Sequence, residues 1–550
     1  MNDQEATVLN SYYMFRSGIT ETLAHGLPCA LLALALSGCS GNPSSTPPAN
    51  SAQEAFQQSC AGLKGHVVGE GAIVSAADVA ASGVVPEMCT AMGTIVSSPT
   101  STINFKIEMP ITSAWNKKMM QEGGGGYNGM IVDYLSSSET GNVRQRGYVV
   151  VADDSGHQST DQTNLSFALN NEAGFDNFAE LSVPRTFAAA QATIKLMYGV
   201  APTRNYFYGN STGGREALQQ AQRNPQNYDG IIAGVPVIDY DQVIQKGIGV
   251  QQQALNSNGA GWLNANKIKL YENAELTVCD ALDGVADGII SNVAACHFDP
   301  QTLRCPGGSD AGDTCLSDTQ IATVNLLTTD STLPVPLANN VTVAPRWGVG
   351  AESDSAGGWG PHQLGASPQA ISSALGVFSD QWVKYAITAN PNANLLTYNL
   401  GQDSAKWQAV SAKVNATNPD MSAYAARGGK LILYSNLSDQ LVEPFATITF
   451  YKQIVQTMGQ SETDGFMRFY TSPGVTHVGS GPGAGFADRI SALESWVENG
   501  VIPPDQLLGT KFTSDGKVAL TRPQCRYPAW PRYNGGGDVN SASNFTCVTQ

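Results

Sequence analysis

Between Asn205 and Gln222 an aromatic run, Asn205-Tyr206-Phe207-Tyr208, passes into Gly209-Asn210-Ser211-Thr212-Gly213-Gly214 and then into the helix-prone Arg215-Glu216-Ala217-Leu218-Gln219-Gln220. Strand formers, a serine bracketed by glycines and helix formers, in that order, compose a nucleophile elbow, the sharp turn that presents a serine hydroxyl to a carbonyl carbon. Side chains two before and two after the serine would collide in such a turn, and Gly209 and Gly213 remove them. The amide of Thr212, at the start of the helix, can then stabilise an oxyanion. An ordinary Gly-Ser-Thr loop would leave the flanking strand and helix unexplained.

An elbow serine needs a base and an orienting acid, which follow it in the order serine, acid, histidine. After Ser211 come His297, His362 and His477. The first two fall in a stretch without regular pattern, whereas His477 closes Ser472-Pro473-Gly474-Val475-Thr476-His477 after a strand-like run, so His477 is the expected base. Asp439, just past the strand-like Leu431 to Tyr434, is the expected acid, with Glu443 as second candidate and Asp464 less well placed. A second glycine cluster, Glu122-Gly123-Gly124-Gly125-Gly126-Tyr127, offers bare amides, and Gly124 and Gly125 join Thr212 as expected oxyanion donors. Its neighbours Met119, Met120 and Tyr127 argue against a flexible linker. Asp280, Asp283 and Asp287 share a short loop punctuated by Gly284 and Gly288. Such hard oxygen donors suit calcium; the spacing is not that of an EF-hand, and capping of backbone amides is an equal reading from the residues alone.

These residues need a scaffold. Strand-like runs at about 102–111, 147–152, 228–234, 429–434 and 466–470 alternate with helix-like runs at 187–197 and 215–223. Alternation of this kind predicts a parallel sheet flanked by helices. Regular patterning fades from about Val237 to Asp420. The reading is an α/β-hydrolase fold with a large inserted lid domain: residues 59–236 form the first part of the hydrolase domain, 237–420 the lid, and 421–550 the second part. With 550 residues, 42% hydrophobic and 14% charged, the chain is globular, and its net charge of −16 argues against a nucleic-acid partner.

The apolar run Leu27 to Leu36 ends in Leu36-Ser37-Gly38-Cys39, which looks like a bacterial lipobox and is too short for a membrane span. Residues 1–38 then read as a lipoprotein signal peptide, Cys39 as the lipidated residue and 39–58 as a flexible tether. Arg16 is the lone Lys or Arg before the run, and Asp3, Glu5 and Glu21 are atypical of a leader, so translation from Met14, or a plain secretory signal, is the alternative. The expected location is outside the cytoplasm, lipid-anchored at the bacterial outer membrane or surface, or else secreted or periplasmic. Eight cysteines remain: Cys60, Cys89, Cys279, Cys296, Cys305, Cys315, Cys525 and Cys547. An even number in an oxidising compartment predicts disulfides, and pairing of neighbours is the simplest connectivity, each loop worth about 3 kcal/mol. No CxxC pair supports zinc.

Together with Asp154-Ser155-Gly156-His157, Tyr228 to Pro236, Trp496-Val497-Glu498-Asn499-Gly500 and Arg522-Pro523-Gln524-Cys525, these motifs make nearly everything after Cys60 resemble the tannase and feruloyl esterase family. The resemblance implies a serine hydrolase that cleaves carboxylic esters of feruloyl, galloyl or terephthaloyl type through an acyl-enzyme. It implies Ser211, Asp439 and His477 as the triad, Thr212 and a glycine near Gly124 as the oxyanion hole, and the insertion as a substrate-binding lid. It further implies lid calcium held by the side chains of Asp280, Asp283 and Asp287 and the carbonyls of Val285 and Ile289, and it agrees with neighbour pairing of the cysteines. The expected partner is a small aromatic ester, with no obligatory protein partner and membrane contact only through the lipid anchor. Trp347, Trp359, Trp382 and Trp407 could stack on the acyl ring, and Arg346 or Arg427 could pair with a substrate carboxylate.

One departure stands out. The family places cysteines just before the serine and just after the histidine; this chain has Asn210 and Val478 there. The missing staple supports a rival reading, a lipid-anchored binding protein on a catalytically decayed hydrolase fold. Retention of all three triad members opposes it.

Overall fold

The computed structural model describes residues 50–137 and 143–549, so the expected leader, Cys39 and the first part of the tether lie outside the described residues. Contacts divide the chain into residues 1–55 and 56–550, and the second unit carries all that follows. Helix α1 (Asn50–Gly62) begins within the stretch expected to be a tether. Phe56, Cys60 and Leu63 are buried, and that apolar spacing is what makes the end of the stretch helical rather than free.

The sheet has twelve strands. In chain order they are β1 (Val67–Val68), β2 (Gly71–Val79), β3 (Met88–Ser98), β4 (Ser101–Pro110), β5 (Lys118–Glu122), β6 (Val149–Asp153), β7 (Arg204–Asn210), β8 (Gly230–Gly234), β9 (Lys430–Asn436), β10 (Met467–Ser472), β11 (Gln506–Phe512) and β12 (Val518–Arg526). Their spatial order is β1-β2-β3-β4-β6-β5-β7-β8-β9-β10-β12-β11. The run from β6 to β10 is parallel, and the strands on either side pair antiparallel. Central strands such as Gly230-Ile231-Ile232-Ala233-Gly234 are buried along their whole length, as expected where helices cover both faces. Helices α2 (Ser182–Tyr198) and α3 (Thr212–Arg223) are joined by α4 (Tyr240–Gly259) and α5 (Ala265–Cys279) in the insertion, and by α6 (Pro444–Met458) and α7 (Arg489–Asn499) after it. One face of the sheet packs into a core with α2, α3 and α6, and the other packs on Ile490 and Leu493 of α7.

Residues 235–429 leave the sheet after β8 and return at its neighbour β9. This insertion is more regular than the sequence suggests. Its longest element, α4, runs as a regular helix up to a break at Asn256, Ser257 and Asn258, yet the helical pattern is hidden because Gln245 and Gln251 occupy buried positions. Their amides bond to the carbonyls of Val335 (3.1 Å) and Gln363 (2.6 Å), so polar groups do core work by satisfying irregular backbone. The insertion has its own apolar core, in which Trp347, Trp359, Trp382 and Trp407 are at most 1% exposed. No helix among the described residues is long and apolar enough to cross a membrane.

Candidate active site

The parallel strands end on one side in four loops that carry the candidate residues: Gly123–Gly126 after β5, Ser211 after β7, Asp439 after β9 and His477 after β10. Ser211 sits at φ 58° and ψ −119°, a strained conformation for a residue with a side chain. A Cβ on Gly209 would stand 2.2 Å from the Gly213 carbonyl oxygen, which is why glycine is required there. The turn is held from β8, where the Gly234 carbonyl accepts from the Ser211 amide at 3.0 Å.

His477 Nε2 lies 3.0 Å from Ser211 Oγ, and His477 Nδ1 lies 2.6 Å from Asp439 Oδ2. Asp439 Oδ1 accepts from the amides of Leu441 (2.8 Å) and Val442 (2.9 Å), leaving Oδ2 for the imidazole. With the proton on Nδ1, Nε2 faces the serine hydroxyl as an acceptor, the arrangement a general base requires. Glu443 does not take this place: it precedes α6, and burial pushes its carboxyl up to about 8. Asp464 pairs with Arg526 and bonds Gln460.

Just before the serine, Asn210 Oδ1 accepts from Tyr434 Oη at 2.7 Å. The acid and base loops are joined by Asn436 Nδ2 to the Thr476 carbonyl (2.9 Å) and the Ser438 amide to the Val475 carbonyl (3.1 Å). The insertion holds the acid loop from the other side. The amides of Gly348 and Val349 donate to the carbonyls of Asp439 (2.8 Å) and Leu437 (2.9 Å), and Trp359 Nε1 donates to Gln440 Oε1 at 3.0 Å.

The two expected glycines of the oxyanion loop differ. Gly124 N donates to Glu216 Oε2 at 2.9 Å, whereas the structure gives the Gly125 and Thr212 amides no acceptor among the described residues. Gly126 O accepts from Thr212 Oγ1 (2.6 Å) and Tyr240 Oη (2.7 Å), fastening the loop to the elbow. Glu216, Asn128 and Tyr240 are participants that the sequence reading missed; the sequence signal was the position of Glu216 inside the elbow motif itself. The structure also brings His362 to the site, its ring 6.4 Å from that of His477. Burial and the neighbouring His477 lower its pKa to about 4, which keeps it neutral near pH 7.

The four tryptophans take the commoner of their two roles and form the core of the insertion, with indole N–H groups satisfied internally, as in Trp347 to the Leu441 carbonyl and Trp382 to Asp241. Arg427 is also committed: it donates to the carbonyls of Pro225 and Tyr228 and pairs with Asp229. Arg346 packs over the Phe445 ring, 4.4 Å from its centroid.

On the aspartate loop, Asp280 accepts from the Gly288 amide (2.9 Å), Asp283 from the Ser291 amide (3.1 Å) and Asp287 from the Ile289 amide (3.2 Å), while Asp287 also pairs with Arg522 (2.6 Å). A hard cation would need these three carboxylates and the carbonyls of Val285 and Ile289 together as an all-oxygen donor set. Among the described residues, however, no three His, Cys, Asp or Glu side chains converge on a common metal position. Disulfides join Cys60 to Cys89, Cys279 to Cys296, Cys305 to Cys315 and Cys525 to Cys547, the neighbour pairing expected.

A family model for tannase and feruloyl esterase matches residues 89–548. The chain is 32% identical over 485 residues to an uncharacterized esterase of Agrobacterium fabrum, covering 84% of this chain and 86% of that protein. It is 30% identical over 530 residues to the mono(2-hydroxyethyl) terephthalate hydrolase of Piscinibacter sakaiensis, covering 85% and 86%. The crystal structure of feruloyl esterase B from Aspergillus oryzae has the same fold, with a TM-score of 0.77, 24% identity, and coverage of 90% of this chain and 100% of that one.

Proposed function

The chain belongs to the tannase and feruloyl esterase family and is a carboxylic ester hydrolase, and from that premise we propose that it cleaves esters of aromatic acids through an acyl-enzyme on Ser211. The observation that carries this reading is the hydrogen-bonded series from Ser211 Oγ through His477 to Asp439, at 3.0 and 2.6 Å.

Ser211 Oγ attacks the ester carbonyl while His477 Nε2 takes its proton, and Asp439 stabilises the imidazolium that forms. Negative charge develops on the carbonyl oxygen, where the Thr212 and Gly125 amides serve as donors. Collapse of the tetrahedral intermediate expels the alkoxide, which takes the proton from His477. Water then attacks the acyl-enzyme with His477 again as base, releasing the acid and restoring Ser211. His362, neutral beside the imidazole, adds no charge to compete with the imidazolium. Residues 237–420 act as the lid that shapes the acyl pocket. Names of the relatives, a terephthalate monoester hydrolase and feruloyl esterases, support an aromatic acyl group.

Asp280, Asp283 and Asp287 with the Val285 and Ile289 carbonyls are proposed as the residues that would hold a structural calcium, which would neutralise the three carboxylates. Metal analysis of the purified protein, and a fall in melting temperature on chelation reversed by calcium, test this. Disulfides support export, and Cys39 is proposed as the lipid anchor; labelling of expressing cells with a palmitate analogue, lost in Cys39→Ala, tests that.

The decisive experiment for the function pairs covalent labelling by a fluorophosphonate with hydrolysis of methyl ferulate, methyl gallate and hydroxyethyl terephthalate. Labelling that maps to Ser211 and cleavage of at least one ester are expected. Failure of both would overturn the reading in favour of a binding protein.

A further inference from the structure

We propose that Glu216 is a positioning residue of the oxyanion hole: its buried carboxylate, acting with the Gly213 amide, fixes both peptide planes that meet at Gly124 and thereby sets where the Gly125 N–H stands relative to Ser211. The inference rests on the ester-hydrolase reading above and deepens it.

A planar trans peptide has no internal freedom, so anchoring its carbonyl oxygen also directs the N–H at its other end. The peptide joining Gly123 to Gly124 is anchored through the Gly124 N–H, which donates to Glu216 Oε2 at 2.9 Å. The next peptide, which carries the Gly125 N–H, is anchored through the Gly124 carbonyl, which accepts from the Gly213 amide at 3.0 Å. Both torsions at Gly124 are thus pinned from the first turns of α3. That helix also begins with Thr212, so the two oxyanion donors are referred to one rigid element.

The other oxygen of Glu216 closes the far end of the loop, accepting from Asn128 Nδ2 at 2.8 Å. Asn128 reaches it by crossing directly over Gly124, where a Cβ would lie 1.9 Å from Asn128 Oδ1. Glu216 is 3% exposed, and Arg215 Nη2 stands 3.6 Å from Oε1, so its charge has a cation beside it. Both carboxylate oxygens face N–H donors. Alanine offers neither acceptor, whereas glutamine keeps an oxygen for Gly124 and donates to Asn128 Oδ1, a buried oxygen without a hydrogen-bond partner, once the Asn128 amide turns over.

The test measures nitrophenyl ester hydrolysis, the rate of fluorophosphonate labelling and the melting temperature in the parent, in Glu216→Ala and in Glu216→Gln. In Glu216→Ala kcat and the labelling rate are expected to fall about 10²-fold with KM nearly unchanged, the signature of a lost transition-state interaction. Glu216→Gln keeps the anchor on Gly124. The new amide oxygen accepts from Gly124, its NH2 donates to the turned Asn128 amide, and the Ser155 hydroxyl, which now accepts from Asn128 Nδ2 at 2.9 Å, turns to donate. Here kcat is expected to stay within about tenfold of the parent. A Glu216→Ala variant with parental kcat, a loss confined to melting temperature, or a Glu216→Gln variant no faster than Glu216→Ala would each overturn the inference alone. A parent inert to both probes would overturn the function and this inference with it.

Discussion

The segments joined by disulfides and the loops of the candidate active site are held by opposite means. The bridges close short stretches, with separations of 10 to 29 residues, and tie down α1, the aspartate loop, another loop of the insertion and the antiparallel pair Trp530–Tyr533 and Phe545–Val548, which lies outside the twelve-stranded sheet. None joins two of the loops carrying Ser211, Asp439 and His477, although those residues are 266 and 38 apart along the chain. The candidate-site loops instead emerge from paired parallel strands and are linked by single hydrogen bonds such as Asn436 to Thr476 and Tyr434 to Asn210. Covalent links serve segments that the sheet does not hold, while sheet register together with the insertion does the work at the reacting atoms.

The comparison can be broken most forcefully at Asp439. Asp439→Asn should lower kcat about 10⁴-fold with little change in melting temperature, because the imidazole tautomer is lost while the amide caps remain; a stopped assay with a circular-dichroism melt checks both halves. Adding the missing staple is the converse. Asn210→Cys with Val478→Cys should, once oxidised, stabilise by up to about 5 kcal/mol and raise the temperature of half-inactivation. No gain over the reduced form would mean that hydrogen bonding already constrains these loops. Removing a peripheral bridge with Cys279→Ser and Cys296→Ser should cost about 3 kcal/mol in denaturant unfolding, with kcat of the folded fraction preserved. The smallest effect is expected from Tyr434→Phe, which removes one hydrogen bond to Asn210 worth about 1 kcal/mol; inactivation should come a few degrees earlier.

The parts legible in the sequence are those where sterics or chain order leave few options. Gly209 and Gly213 are forced by the turn at Ser211, and His477 stood apart because its rivals fell in irregular sequence. His362 shows the limit of that reasoning, since an irregular stretch can still fold back beside the imidazole. The helices of the insertion were illegible because glutamines fill buried positions by bonding loop carbonyls, which erases the apolar stripe. Gly124 and Gly125 are interchangeable in sequence, and only the bond from Gly124 to Glu216 tells them apart. The tryptophans stayed undecided for a related reason: a large aromatic residue in a loop-rich segment is more often core but can serve as a ligand platform, and packing decides for core.

Because β8 and β9 lie side by side, the chain can depart for nearly two hundred residues and come back without displacing any strand. The segment between them can therefore change in length and content, on one condition: Gly348, Val349 and Trp359 brace the loop that bears Asp439, so any replacement has to supply equivalent props or leave that carboxylate less well seated.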